Sequence, residues 1–193
     1  MEKHILLKIF PPINDLSLLN YDNEGLWSIT LPSDADTISQ IICTELSSNI
    51  VIFDGTAGIG GNTISFSKFF NKVIGVELNS DRYHILESNI KAYKLENVEL
   101  INGNCIDYCI NQAIDAYFFD PPWGGPNYKS NTKIRIKLGQ FSLLELVQLI
   151  KTHNDKMIFI KLPNNYDLEE FILFNNRVIK IPTKGTKYQL LII

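Results

Sequence analysis

Ile50-Val51-Ile52-Phe53-Asp54-Gly55-Thr56-Ala57-Gly58-Ile59-Gly60-Gly61-Asn62 is the stretch that decides the fold. A β-branched apolar run ends in a carboxylate, breaks into glycines, and then opens a run that reads as a helix over 62–70. That order is the first strand–turn–helix unit of an open α/β sheet, in which ligands collect at the carboxyl ends of the strands. Glycine at such a turn lets the backbone approach a bound molecule closely. A dinucleotide fingerprint would need a further glycine where Thr63 stands, so the motif reduces to D-x-x-x-G-x-G around Asp54, Gly58 and Gly60.

The same alternation continues downstream. Strands are expected at 50–53, 73–77, 98–102, 116–119, 157–162, 177–181 and 188–193, with helices at 62–70, 81–93, 141–152 and 167–174 between them. Pro182-Thr183-Lys184-Gly185 is turn-like and predicts a hairpin joining the last two strands. The expected fold is therefore α/β and Rossmann-like, a seven-stranded, mostly parallel sheet with an antiparallel C-terminal strand. Ahead of the first strand, Ser33 stands where it could cap a helix carrying Ile38, Ile41, Ile42 and Leu46. Residues 33–193 read as one domain. Residues 1–32 differ: Pro11-Pro12 breaks them, and Leu6, Leu7, Ile9, Phe10 and Trp27 are apolar enough to need burial. They predict an N-terminal arm packed on the domain and over its site.

With 193 residues and 45% hydrophobic content, the chain can bury a full core. Its 18 basic residues against 21 acidic ones give a net charge of −3, which excludes a broad basic track and requires any nucleic acid to be gripped locally. Cys43, Cys105 and Cys109 lack CxxC spacing and His4, His84 and His153 are scattered, so an intracellular protein without a metal is expected. No apolar run approaches the length of a membrane span, which points to a soluble chain, cytoplasmic or nuclear.

The second strand ends at Glu77, where an acid can accept from both hydroxyls of a ribose. Together with the glycine turn, this resembles the motifs of class I methyltransferases that use S-adenosylmethionine. The resemblance implies that cofactor, and it places Asn104, after the third strand, where such enzymes usually have an Asp accepting from the adenine amino group; an amide oxygen can accept there too.

After the fourth strand comes Phe118-Phe119-Asp120-Pro121-Pro122-Trp123-Gly124-Gly125-Pro126-Asn127-Tyr128. Its Asp-Pro-Pro-Trp core resembles the [DNS]-P-P-[YFW] motif of methyltransferases acting on ring-conjugated nitrogens. Such a nitrogen is a poor nucleophile because its lone pair feeds the ring. An acceptor on its N–H localises and aims that pair, and the Asp120 carboxylate and Pro121 carbonyl are the candidates. The prolines fix φ and hold those acceptors stiffly, while Trp123 offers a stacking face.

Taken together, Gly60-Gly61-Asn62-Thr63-Ile64, the Pro121–Tyr128 run, Glu24-Gly25-Leu26-Trp27-Ser28-Ile29-Thr30 and Leu162-Pro163-Asn164-Asn165-Tyr166-Asp167 resemble the trimethylguanosine synthase family, from about Glu24 to the C-terminus. Those enzymes methylate the exocyclic N2 of the 7-methylguanosine cap of RNA. The resemblance implies Asp54, Gly58, Gly60, Asn62, Glu77, Asn104 and Asp120 around S-adenosylmethionine, and Asp120, Pro121 and Trp123 as the catalytic group. Trp123 would stack on a guanine made cationic by its N7 methyl. Ser28, Thr30, Asn89, Pro163 and Asn165 would line the cap nucleotide and its phosphates. Capped RNA, recognised mainly at the cap by a monomer, is the implied partner, with no membrane and no metal involved. In the family a Ser usually stands at the position of Asp120 and an Arg at that of Asn164, with Lys161 near enough in sequence to supply the missing charge.

Two other readings remain open. Asp-Pro-Pro also fits an amino-methyltransferase acting on a base of ribosomal RNA or DNA, which would call for more basic surface than a net −3 supplies. A catalytically silent Rossmann-like binding subunit would have no need of Asp54, Glu77 and Asp120.

Overall fold

Ile52 and Phe53 carry no exposed surface, and neither do Tyr117, Phe118 and Phe119, because these strands are covered on both faces. The structure, a computed structural model, describes residues 2–110, 113–181 and 188–193. Its elements run α1 (Glu2–Ile9), α2 (Asn23–Ser28), α3 (Pro32–Glu45), β1 (Val51–Asp54), α4 (Gly61–Phe69), β2 (Lys72–Glu77), α5 (Ser80–Ala92), β3 (Val98–Asn102) and β4 (Ala116–Phe119). A two-residue ribbon of β5 (Lys137–Leu138) and β6 (Phe141–Ser142) follows, then α6 (Leu143–His153), β7 (Met157–Pro163), β8 (Arg177–Ile181) and β9 (Tyr188–Ile192).

Seven strands form one sheet in the order β3-β2-β1-β4-β7-β9-β8. The first five pair in parallel and β9 is antiparallel to both neighbours, as expected for a Rossmann-like class I methyltransferase sheet. The strand order reverses between β1 and β4, so their carboxyl ends flank the crevice where ligands of such sheets bind. Side chains alternate with period two. Phe53, Tyr117 and Phe119 join a core with Leu143, Leu146, Val147 and Ile150 of α6. Ile52, Phe118 and Phe159 join the opposite one with Ile38 and Ile42 of α3 and Phe66 of α4.

Local chemistry moves several expected boundaries. Helix α3 begins at Pro32, whose fixed φ suits a first helical position, so Ser33 lies inside the helix and Leu31 is the cap residue. Leu46 falls at its exposed C-terminal end. Helix α6 starts at Leu143 instead of 141, because Ser142 and Glu145 form a reciprocal capping box. The helix expected over 167–174 shrinks to a single 3-10 turn, Leu168–Phe171. Asn176 donates through Nδ2 to the carbonyls of Phe171 (2.8 Å) and Phe174 (3.0 Å), ending the helix there, and Ile172 and Leu173 stay exposed. The hairpin turn expected at 182–185 lies outside the described residues.

In the segment before α3 some of the apolar side chains are buried and others are not. Leu6, Ile9, Phe10 and Leu19 join Ala57 and Ile59 of the glycine turn, Ile64 of α4, and Leu86 and Ile90 of α5. Burying Phe10 alone contributes roughly 1.5–3 kcal/mol. Leu7 is instead 59% and Trp27 85% exposed. Polar groups fix the segment as firmly as the apolar ones. Arg82 on α5 pairs through Nη2 with Asp22 (3.2 Å) and Glu24 (2.6 Å), and Tyr93 donates to the Pro11 carbonyl at 2.5 Å. Asn89, wholly buried, accepts at Oδ1 from the Asn20 backbone N–H (2.8 Å) and donates at Nδ2 to the Asn20 and Ile59 carbonyls (3.0 and 2.9 Å). Among the described residues no helix is long and apolar enough to cross a membrane.

Asn89→Ala should therefore leave one buried N–H and two carbonyls unpaired. A loss of about 1–3 kcal/mol is expected. Urea denaturation checks it, with local opening of residues 2–30 read by amide exchange; unchanged stability and exchange would contradict the strap.

Candidate active site

Three loop starts converge at the carboxyl ends of β1, β2 and β4. The β1 and β4 ends are tied directly: the Gly55 N–H donates to the Phe118 carbonyl (2.9 Å), and the Asp120 N–H donates to Thr56 Oγ1 (2.6 Å). Asp54, fully buried, accepts at Oδ2 from the Thr63 hydroxyl (2.7 Å) and at Oδ1 from the Thr56 N–H (3.4 Å). Burial pushes its carboxyl up to about 7 despite those hydrogen bonds, and the charges of Asp120 and Glu77 add to the rise.

Glu77 leans across from β2. Its Oε2 accepts from the Gly58 N–H and its Oε1 from the Asn79 N–H, both at 2.9 Å. Each oxygen keeps a second lone pair, so the carboxylate is held still with accepting capacity left for a diol. Gly58 has φ +57 and a Cβ there would meet nothing within 4 Å, so the turn faces open space. Gly60, at φ +108, allows α4 to start immediately afterwards. Asn104, exposed, accepts from the Ile106 N–H (3.1 Å), which leaves one lone pair of its amide oxygen for a ligand.

The densest polar knot surrounds Asp120. Its Oδ2 accepts from Lys161 Nζ (2.7 Å), from Thr30 Oγ1 (2.9 Å) and more distantly from Asn62 Nδ2 (3.5 Å). Thr30 Oγ1 also receives Lys161 Nζ at 2.8 Å and Asn62 Nδ2 at 3.0 Å. Neither Asp120 Oδ1 nor the Pro121 carbonyl has a hydrogen-bond partner among the described residues. Trp123, half-buried, lies edge-on to Tyr128 with centroids 5.2 Å apart, and its buried indole N–H, like Asn62 Oδ1, has no partner among the described residues. Buried polar groups of that kind mark where a polar ligand completes the bonding. Gly124 and Gly125 take φ +89 and +77 in open space, so backbone conformation and not crowding calls for glycine there.

Several expected substrate contacts sit elsewhere. Asn89 commits both amide N–H bonds, one to the Asn20 carbonyl and one to that of Ile59, which leaves it no donor for a phosphate. Thr30 is buried in the Asp120 knot, and exposed Ser28 donates to the Glu24 carbonyl within α2 (2.9 Å). Asn165 donates to the carbonyls of Tyr128 (2.8 Å) and Asn131 (2.9 Å), anchoring the loop after Trp123. Pro163 ends β7 with its carbonyl accepting from Tyr166 N–H (3.0 Å). Lys161 is 5% exposed and engaged with Asp120, so it does not replace the missing phosphate-binding Arg. The features that sequence reasoning passed over are Thr56, Arg82 and the contact of Lys161 with Asp120. Lys161 carried a signal, a cation inside the apolar run of β7.

A family model described as RNA cap guanine-N2 methyltransferase matches residues 49–191. The chain belongs to that family. Within it, the chain is 36% identical over 191 residues to an uncharacterised protein, L320, of Acanthamoeba polyphaga mimivirus, covering 84% of this chain and 75% of that protein. It is 25% identical to the trimethylguanosine synthase of Schizosaccharomyces pombe, covering 84% of this chain and 73% of that one. Among solved structures, a putative RNA methyltransferase from Pyrococcus horikoshii shares the fold at TM-score 0.57 and 16% identity, over 100% of this chain and 95% of that chain. A putative methyltransferase from Porphyromonas gingivalis superposes at TM-score 0.68 and 16% identity, over 93% of this chain and 44% of that chain. This member of the cap guanine-N2 methyltransferase family has the class I methyltransferase fold, a membership that implies S-adenosylmethionine, and the pinned Glu77, the open Gly58 turn and the unpaired Asn62 oxygen fit such a cofactor.

The raised Asp54 carboxyl gives a stability prediction. The folded state keeps its proton up to about pH 7, whereas the unfolded chain releases it near the ordinary carboxyl value of 3.8, so Asp54's contribution is full below about pH 4 and lost as pH rises to 7. Asp54→Asn, which mimics the protonated form, should gain stability relative to wild type as pH is raised across that window. Chemical denaturation of both at pH 5 and pH 8 measures it; a pH-independent difference would contradict the buried-carboxyl account.

Proposed function

We propose that this protein transfers a methyl group from S-adenosylmethionine to the exocyclic N2 of the 7-methylguanosine cap of RNA. The observation that carries the reading is the pair of uncommitted acceptors, Asp120 Oδ1 and the Pro121 carbonyl, beside the Trp123 ring. An amino group attached to a purine presents two N–H bonds and a flat face, and these three features match it. When bound, the cofactor supplies an electrophilic methyl on a sulfonium sulfur, and Glu77, Asp54, Asn62, Asn104 and the Gly58–Gly60 turn are the groups to hold it.

The chain's own work is positioning. Asp120 and Pro121 accept the two N–H bonds, which draws the nitrogen lone pair out of the ring and fixes its direction, an orientational effect that can lower a barrier by several kcal/mol. Trp123 holds the base plane. An N7-methylated guanine is cationic, and an indole face favours a cation over a neutral ring by about 0.5–2 kcal/mol. Asn165 shapes the rim by anchoring the loop around Tyr128, Pro163 ends β7 beside it, and Ser28, exposed on α2, can meet a phosphate once its hydroxyl releases the Glu24 carbonyl. The net charge of −3 supports recognition at the cap over a grip on a long nucleic-acid body.

Trp123→Ala should abolish the preference for 7-methylguanosine diphosphate over guanosine diphosphate and sharply reduce methylation, while S-adenosylmethionine affinity stays nearly intact; Trp123→Phe should fall between. Calorimetry suits this better than fluorescence, because Trp27 is 85% exposed and would dominate the emission. A wild type without preference for the methylated nucleotide, or a Trp123→Ala protein that keeps it, would overturn the cap reading.

A further inference from the structure

The register of the sheet sets Lys161 beside Asp120. Phe119 of β4 pairs with Ile160 of β7, so the next residue on each strand emerges side by side at the carboxyl edge. There the two side chains form an ion pair of 2.7 Å with only 7% and 10% of their surfaces exposed. Lys161 Nζ also lies 5.3 Å from the Trp123 ring centroid and 4.7 Å from that of Tyr188. Burial and the charge of Asp34 push the Tyr188 hydroxyl up, and Asp120 adds to the rise, so that ring stays neutral. The lysine thus touches both the proposed acceptor and the proposed stacking platform, and none of the roles assigned so far uses it.

We propose that Lys161 is a positioning residue that makes Asp120 usable as the amine acceptor, a role that rests on the cap reading. It occupies Oδ2 and cancels the carboxylate charge, leaving Oδ1 as a fixed, singly directed acceptor. A buried ion pair contributes little net stability, whereas removing one partner strands a charge in a dry site, so the pair has to be explained by something other than stability. The explanation lies in the charge of the ligands. An N7-methylated guanine and a sulfonium donor are both cationic, and Asp120 with Lys161 is neutral as a unit. Asp120 alone would add a mobile anion to the site, and Lys161 alone would set a buried ammonium against two cationic ligands. Neither residue works without the other.

The test is a double-mutant cycle on the full chain with Asp120→Ser, Lys161→Met and the two combined, reading kcat and KM for 7-methylguanosine diphosphate, S-adenosylmethionine affinity by calorimetry, and Tm. Each single change should lower kcat roughly tenfold or more, the scale of a lost orienting hydrogen bond to a charged group. Cofactor affinity should change little. Asp120→Ser should also lower Tm by roughly 6 °C or more, as an unpaired buried charge would. The double variant should exceed both singles in kcat and exceed Asp120→Ser in Tm. Asp120→Asn, which keeps the side-chain shape, replaces Asp120→Ser if that protein does not fold. Wild-type kcat in Lys161→Met, or singles that multiply with no recovery in the double, would overturn the proposal even where Tm falls. A wild type that binds S-adenosylmethionine but leaves 7-methylguanosine diphosphate unmethylated would overturn the cap reading instead, and this role with it.

Discussion

The site depends on one oxygen atom. Asp120 Oδ2 gathers donors from Thr30, Asn62 and Lys161, which belong to the end of the N-terminal segment, the first turn of α4 and the strand beside β4. No local segment can assemble that set. It forms only once β7 has paired with β4, the glycine turn has launched α4, and residues 2–30 have folded back over Ala57 and Ile59. The rigidity of Asp120 is in this way borrowed from the whole sheet, and the tie from the Asp120 N–H to Thr56 couples it to the glycine turn after β1.

The N-terminal segment illustrates how polar groups carry structural work that sequence reading assigns to ligands. Asn89 and Asn165 occupy positions where the family resemblance implies substrate contacts, yet both direct their amides at backbone: Asn89 at the strap, Asn165 at the loop after Trp123. Arg82 plays a similar part, joining Asp22 and Glu24 of the segment to α5, with Glu77 3.7 Å from its Nη1. The N-terminal segment and Glu77 are therefore electrostatic neighbours.

The sheet was legible because strands buried on both faces write themselves as unbroken apolar runs, and because Asp54-Gly55 and Asp120-Pro121 punctuate them at the carboxyl ends. The place of Glu77 at the end of β2, beside the glycine turn, was legible for the same reason. What sequence reading missed depended on register or on competition between side chains. The pairing of Lys161 with Asp120 follows from Phe119 lying opposite Ile160, a fact about two strands 41 residues apart. The collapse of the 167–174 helix followed from Asn176 taking the Phe171 and Phe174 carbonyls, and Trp27 stayed exposed because α2 turned Gly25 inward, where a Cβ would meet Ile59 Cγ2 at 2.6 Å. Hydrophobicity alone misleads in both places.

The central claim is that the acceptors at Asp120 and Pro121 direct methyl transfer to an exocyclic purine amine. The most direct measurement is transfer from isotopically methyl-labelled S-adenosylmethionine to 7-methylguanosine diphosphate, followed by mass spectrometry and NMR of the product nucleoside. The account predicts the label on N2 of the base, with guanosine diphosphate a much poorer acceptor. Label on a ribose oxygen, on a ring nitrogen, or only on uncapped RNA would contradict it.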